Sequence, residues 1–150
     1  MVSRERVADF VGRQEQVRQV LSHFSVQQVS APRVLILHAM GGQGKSQIAL
    51  EYCRRMREIY RGIFWINASS ESLAIQSYVA IAKRLTSGTS LPTIGDAEAT
   101  IRLVVDTLER WSERWLLVFD NYDDPENFRN LRRFMPIGKC TTSHDTIMSS

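Results

Sequence analysis

The sequence predicts an α/β fold, a three-layer αβα sandwich with a parallel sheet, and a phosphate site at one edge of that sheet. Three observations predict it. Ala39-Met40-Gly41-Gly42-Gln43-Gly44-Lys45-Ser46 matches the phosphate-binding P-loop, G-x-x-x-x-G-K-[ST], with Ala39 in place of the first glycine. Trp115-Leu116-Leu117-Val118-Phe119-Asp120 is an apolar run that ends in a carboxylate. Between and around these segments, helical and strand-like patterns alternate. Apolar runs without alternation suit strands covered on both faces, as in a parallel sheet.

The elements follow in chain order. Val17, Val20, Leu21 and Phe24 keep helical spacing, so residues 14–24 read as an amphipathic helix. Ser30-Ala31-Pro32 breaks the chain. Val34-Leu35-Ile36-Leu37 is the first strand, and the helix after the P-loop runs to about Tyr60, where Arg61-Gly62 ends it. Ile63 to Asn67 is the next strand. Ser69 or Ser70 caps a helix reaching Leu85, with Ala74, Tyr78, Ile81, Ala82 and Leu85 on one face. Thr86 to Gly95 is a loop of Ser, Thr, Gly and Pro. Asp96 caps a helix striped by Ile101, Val104, Val105 and Leu108. The strand ending at Asp120 follows, then a short helix with Phe128, Leu131 and Phe134. Asp124 before Pro125 reads as a helix N-cap.

Composition narrows the class. With 150 residues and 43% hydrophobic content, the chain can bury the core of one modest domain. A net charge of +3 is mild and does not argue for nucleic acid. The clusters Arg54, Arg55, Arg57, Arg61 and Arg129, Arg132, Arg133 read as solvated faces. The two cysteines, Cys53 and Cys140, lie far apart and show neither a disulfide framework nor metal spacing. No apolar stretch approaches the ~20 residues that cross a bilayer. Met1 to Arg6 carries no apolar signal region. The expectation is a cytoplasmic protein with no membrane partner. Trp65, Trp111 and Trp115 read as packing residues, and His38 as a polar strand end beside the loop.

The chemistry of the motifs is specific. Glycines let the backbone curl so that successive N–H groups face phosphate oxygens. The helix beginning near Gly44 adds the positive end of its dipole. Lys45 can neutralise the β- and γ-phosphates, and the Ser46 hydroxyl can ligate Mg²⁺. The competing account, a glycine-rich turn before a helix, needs strand, loop and helix to coincide by accident. Asp120 falls on the ligand-binding edge of the sheet, where it can hold Mg²⁺ directly or through water. A strand that ends in Asp as a turn starter is the competing account there.

Taken in order, these segments resemble the NB-ARC ATPases of the STAND class of P-loop NTPases, which include NOD-like receptors. Phe10-Val11-Gly12-Arg13-Gln14-Glu15 is similar to the segment before the P-loop in that family. Met40 to Ser46 fits its P-loop, Gly62 to Ala68 its second core strand, and Leu116 to Asp124 its Walker B strand, closest to fungal variants. The resemblance spans about residues 8–135. It implies an NB-ARC-type domain over 1–135, with an adenine-side segment and helix at 8–30, a Walker A to Walker B core at 31–135, and a polar, disordered tail at 136–150. It implies a switch that holds ADP and exchanges it for ATP. Val11, Gly12 and Arg13 would flank adenine and ribose. Met40, Gly41, Gly42, Gln43, Gly44, Lys45, Ser46 and Gln47 would wrap the phosphates. Ser46 and Asp120 would hold Mg²⁺, and Lys45 and Asp120 would serve any catalysis. Without the P-loop downstream, Phe10 to Arg13 would read instead as a loop that staples the next helix.

Two departures from the family pattern shape the expectation. Asn121 stands where many relatives carry a second acid, and an amide cannot take a proton from water. After Phe134-Met135-Pro136 the text holds no apolar strand and no sensor arginine, so the fold is expected to be incomplete at its C-terminal side. With a family sheet order of 2-3-1-4-5, strands 4 and 5 would be missing and Val34 to Leu37 exposed as an edge prone to self-association. Three functions compete: a nucleotide-binding module with little or no turnover, an active ATPase of AAA+ type, and a truncated product acting only by association with related NB-ARC proteins. The first is the reading adopted.

Overall fold

The computed structural model describes residues 14–25, 33–37, 44–87, 96–126, 128–136 and 145–149. Helix α1 (Gln14–Ser25) precedes strand β1 (Arg33–Leu37), and α2 (Lys45–Met56) follows it. Strand β2 (Gly62–Asn67), helices α3 (Glu71–Thr86) and α4 (Ala97–Glu109) and strand β3 (Trp115–Asp120) come next. A 3₁₀ turn at Leu131–Phe134 and strand β4 (Asp145–Ser149) complete the set. The four strands form one parallel sheet in the order β1-β4-β3-β2.

Local chemistry explains the helix ends. Ser70 caps α3, its hydroxyl accepting from the Leu73 N–H at 3.2 Å. Asp96 caps α4 through the Ala99 N–H at 3.0 Å. Helix α2 is shorter than the apolar pattern suggested, ending at Met56 instead of near Tyr60. Asp124 starts no helix. Its carbonyl accepts from the Phe128 N–H at 3.1 Å, closing a single turn.

Strand β3 shows why two layers of helices are needed. All six of its residues are buried. Successive side chains on a strand point to opposite faces. Leu116 and Val118 accordingly pack with α1 and α2, among Val17, Val20, Ile48 and Tyr52. Trp115, Leu117 and Phe119 pack on the other face with Tyr78, Ile81, Val104 and Leu108 of α3 and α4. This is the αβα sandwich expected from the unbroken apolar run. Trp115 is a core residue, Trp111 packs beside Phe64 at 5.9 Å, and Trp65 lies against the α1–α2 cluster.

The C-terminal segment corrects two expectations. Residues 145–149 are not a disordered tail but strand β4. It lies between β1 and β3, with Leu35 opposite Ile147 and Ile147 opposite Val118. The expected order, with the P-loop strand directly beside the Walker B strand, does not hold. β1 is covered on one side by β4 and remains an outermost strand among the described residues. The physical reason is that a strand paired on both sides is held by backbone bonds, which any non-proline residue supplies. Asp-Thr-Ile-Met-Ser has no apolar run to announce it. Residues 137–144 and Ser150 lie outside the described residues.

Every N–H of such an interior strand has a neighbour to bond. Replacing Ile147 with proline removes one and should lower unfolding free energy by about 1–3 kcal/mol in urea titration. A change within about 0.5 kcal/mol, the range of neutral surface substitutions, would mean that β4 is not held between β1 and β3.

Candidate phosphate and cation site

The carboxyl edge of the sheet gathers the predicted residues. Strand β1 ends there at Leu37, and α2 starts there at Lys45. Gly44 is the N-cap of α2 with φ 71°, a left-handed conformation that costs a residue without Cβ nothing. Its carbonyl accepts from the N–H groups of Gln47 at 3.1 Å and Ile48 at 3.2 Å. Gly44 gives this helix no side-chain cap, in contrast to Ser70 of α3 and Asp96 of α4. The positive end of the helix dipole, carried by the first-turn amides, favours an anion at this end. Ile48 and Ala49 are buried against the sheet and fix the helix in place.

Asp120 reaches this helix through strand parity. It has the same parity as Leu116 and Val118, so its side chain points to the α1–α2 face. It is 2% exposed. The Ser46 hydroxyl donates to Asp120 Oδ1 at 2.6 Å, joining residues 74 positions apart. The same oxygen accepts from the Asn121 N–H at 3.1 Å. A buried carboxylate without such donors would be strongly disfavoured. The Asp120 carbonyl accepts from the Ala68 N–H at 2.7 Å, which carries the β2–β3 ladder one step further. The residue opposite Asp120 on β2 is Asn67. Its Oδ1 accepts from the Ser69 hydroxyl at 2.7 Å and from the Ser69 N–H at 3.1 Å, shaping the turn into α3. Sequence reasoning noted Asn67 only as a strand end. Its signal is the one that marked Asp120, a polar residue closing an apolar strand.

The structure thus brings together Gly44, Lys45, Ser46, Gln47, Asp120 and Asn121. Val11, Gly12, Arg13, Met40, Gly41, Gly42, Gln43 and His38 lie outside the described residues. The donor set fits Mg²⁺, which takes oxygen ligands and keeps several waters. A serine hydroxyl and a carboxylate already within hydrogen-bond distance supply two such oxygens. Among the described residues no group of three or more His, Cys, Asp or Glu could hold a metal without a ligand's help. No helix among them is long and apolar enough to cross a membrane. Cys53 is buried, and burial pushes its thiol up to about 12, so it is inert at neutral pH.

Asn121 has a backbone reason to be asparagine. Its φ is 63°, in the left-handed region that Asn tolerates better than most residues. Its side chain is exposed. Asn121→Val should cost about 1–2 kcal/mol in thermal or chemical unfolding, while Asn121→Gly should be near neutral. Equal stability of the two variants would contradict the backbone explanation.

Comparisons with known proteins bear on the family and the fold. A family model described as the NB-ARC domain matches residues 13–142. A nucleotide-binding leucine-rich repeat (NLR)-like protein of Hyaloscypha variabilis is 31% identical over 121 residues, covering 77% of this chain. The chain spans 12% of the length of that relative. The crystal structure of Cdc6p from Pyrobaculum aerophilum superposes with a TM-score of 0.63 at 16% identity, over 99% of this chain and 41% of that one. At that identity the likeness speaks for the fold alone.

Proposed function

This chain belongs to the NB-ARC domain family, and we infer that it is the nucleotide-holding module of a signalling switch that binds ADP or ATP with Mg²⁺ and turns it over slowly or not at all. The observation that carries the reading is the Ser46–Asp120 contact at 2.6 Å. It pairs the last residue of the P-loop with the carboxylate that closes β3, at the uncapped start of α2.

The roles follow from position. First-turn amides of α2 take phosphate oxygens, and Lys45 adds a point charge to the β- and γ-phosphates. Ser46 and Asp120 are the residues that would hold Mg²⁺. When bound, the cation neutralises phosphate charge and orients the chain of phosphates. Gln47 lies one residue further along the same turn. Val11, Gly12 and Arg13 are assigned to adenine and ribose by the family resemblance.

Ligand at a hundredfold over its dissociation constant stabilises the folded state by about 2.7 kcal/mol, a melting shift on the order of 5–10 °C for a chain of this size. Mg²⁺–ADP or Mg²⁺–ATP should produce that shift in a thermal melt, and Lys45→Ala should remove most of it. An absent shift, or one kept in Lys45→Ala, would overturn the assignment.

Low turnover rests on Asn121. Its exposed amide has no proton-accepting group, and the general base common in relatives is missing at that position. Phosphate release by purified protein should stay well below roughly one per second, the lower end of ordinary enzymes. Faster release that vanishes in Lys45→Ala would favour an active ATPase of AAA+ type instead.

A further inference from the structure

The second arginine cluster is not a uniform solvated face. Arg129 sits in the open, 3.8 Å from Glu126. Arg133 is different, with its side chain 25% exposed. One terminal nitrogen donates to Glu71 and the other to Glu98, the latter at 3.3 Å. The guanidinium carbon lies 5.0 Å from the centroid of the Phe134 ring. Glu71 stands in the first turn of α3 and Glu98 in the first turn of α4. Helix α3 leaves β2 through a short turn, so its first turn lies at the same sheet edge as Asp120.

Among the described residues between Asp120 and Arg133 there is no α-helix. The conformation of this segment depends on what fastens it. The Tyr122 hydroxyl donates to the Phe128 carbonyl at 3.1 Å. Phe128 packs edge-on against Tyr122 at 5.6 Å and against Phe134 at 5.3 Å. The Tyr78 hydroxyl of α3 donates to the Phe134 carbonyl, and both residues are buried. Each of these contacts except the Arg133 pairs is within the aromatic core. At the other end of the segment, Asn121 holds a left-handed φ, and its N–H donates to Asp120 Oδ1. Such a conformation persists when the surroundings over-determine it.

We propose that Arg133 is a positioning residue for the cation site: by fastening the loop that leaves Asp120 to the first turns of α3 and α4, it keeps the Asn121 turn closed and the Asp120 carboxylate facing Ser46. A guanidinium suits the task because its fork can bond two carboxylates on two helices at once, whereas an ammonium is a single point charge. The inference rests on the reading that Ser46 and Asp120 hold Mg²⁺.

The test is ADP affinity of the purified chain, measured by calorimetry with Mg²⁺ and again with EDTA. The quantity read is the ratio of the two affinities. Wild type should bind more tightly with Mg²⁺. Arg133→Met should cut that advantage about fivefold or more, the lower end of ordinary site–site coupling, and leave the EDTA affinity within about twofold. Arg133→Lys should keep part of the advantage. Glu71→Gln combined with Glu98→Gln should reproduce Arg133→Met without changing the arginine, which also serves if Arg133→Met folds poorly. Lower melting temperatures with an unchanged Mg²⁺ advantage in both would show a structural brace only and overturn the proposal. Asp120→Asn separates the two failures. If it abolishes the advantage while the Arg133 and Glu variants do not, positioning is wrong. If it leaves the advantage intact, the cation reading beneath it is wrong.

Discussion

One hydrogen bond, from the Ser46 hydroxyl to the buried Asp120 carboxylate, is the contact on which the site depends. A carboxylate at 2% exposure must be satisfied, and its partners come from two directions. Ser46 arrives from the first turn of α2, and the Asn121 N–H arrives from the turn that leaves β3. The hydroxyl and carboxylate oxygens of the Ser46–Asp120 pair are of the kind a hard cation takes. The proposed cation site rests on that hydrogen bond.

That contact requires the whole sheet to be in register. Parity along β3 sends Leu116, Val118 and Asp120 to the α1–α2 face and Leu117 and Phe119 to the other. A one-residue slip would turn Asp120 into the α3–α4 core, where Val104 and Leu108 offer it no donor. The interior strand β4 sets the spacing between β1 and β3, and α2 crosses that gap from the end of β1. Ile48, Ala49 and Tyr52 bury the helix against the sheet, so its first turn stays at the carboxyl edge. Tyr52 is held in turn by Phe24 of α1, with ring centroids 5.4 Å apart, and by the Tyr60 hydroxyl at 2.7 Å.

Much of this was legible in the residues. Ser70 and Asp96 announced the starts of α3 and α4, because a side-chain cap is a local signal. The apolar run of β3 announced a strand covered twice, and its closing Asp120 marked the carboxylate that meets Ser46. What stayed hidden was non-local. Strand β4 carries only Ile147 and Met148 as apolar residues, and its place between β1 and β3 is written in backbone pairing. Asn121 read as a missing acid, while its positive φ, a property of the turn, is invisible in composition. Arg133 read as one more solvated cation. Its two carboxylate partners lie 62 and 35 positions away, beyond any local pattern.

On the proposed function, Ser46 and Asp120 act as one unit in holding a nucleotide-bound cation. A double-mutant cycle tests it most directly, with Mg²⁺–ADP affinity measured for wild type, Ser46→Ala, Asp120→Asn and the double variant. Residues in one network show interaction energies of about 0.5–3 kcal/mol, so the second substitution should cost little once the first is made. Losses that add within about 0.3–0.5 kcal/mol would show two independent side chains and contradict it.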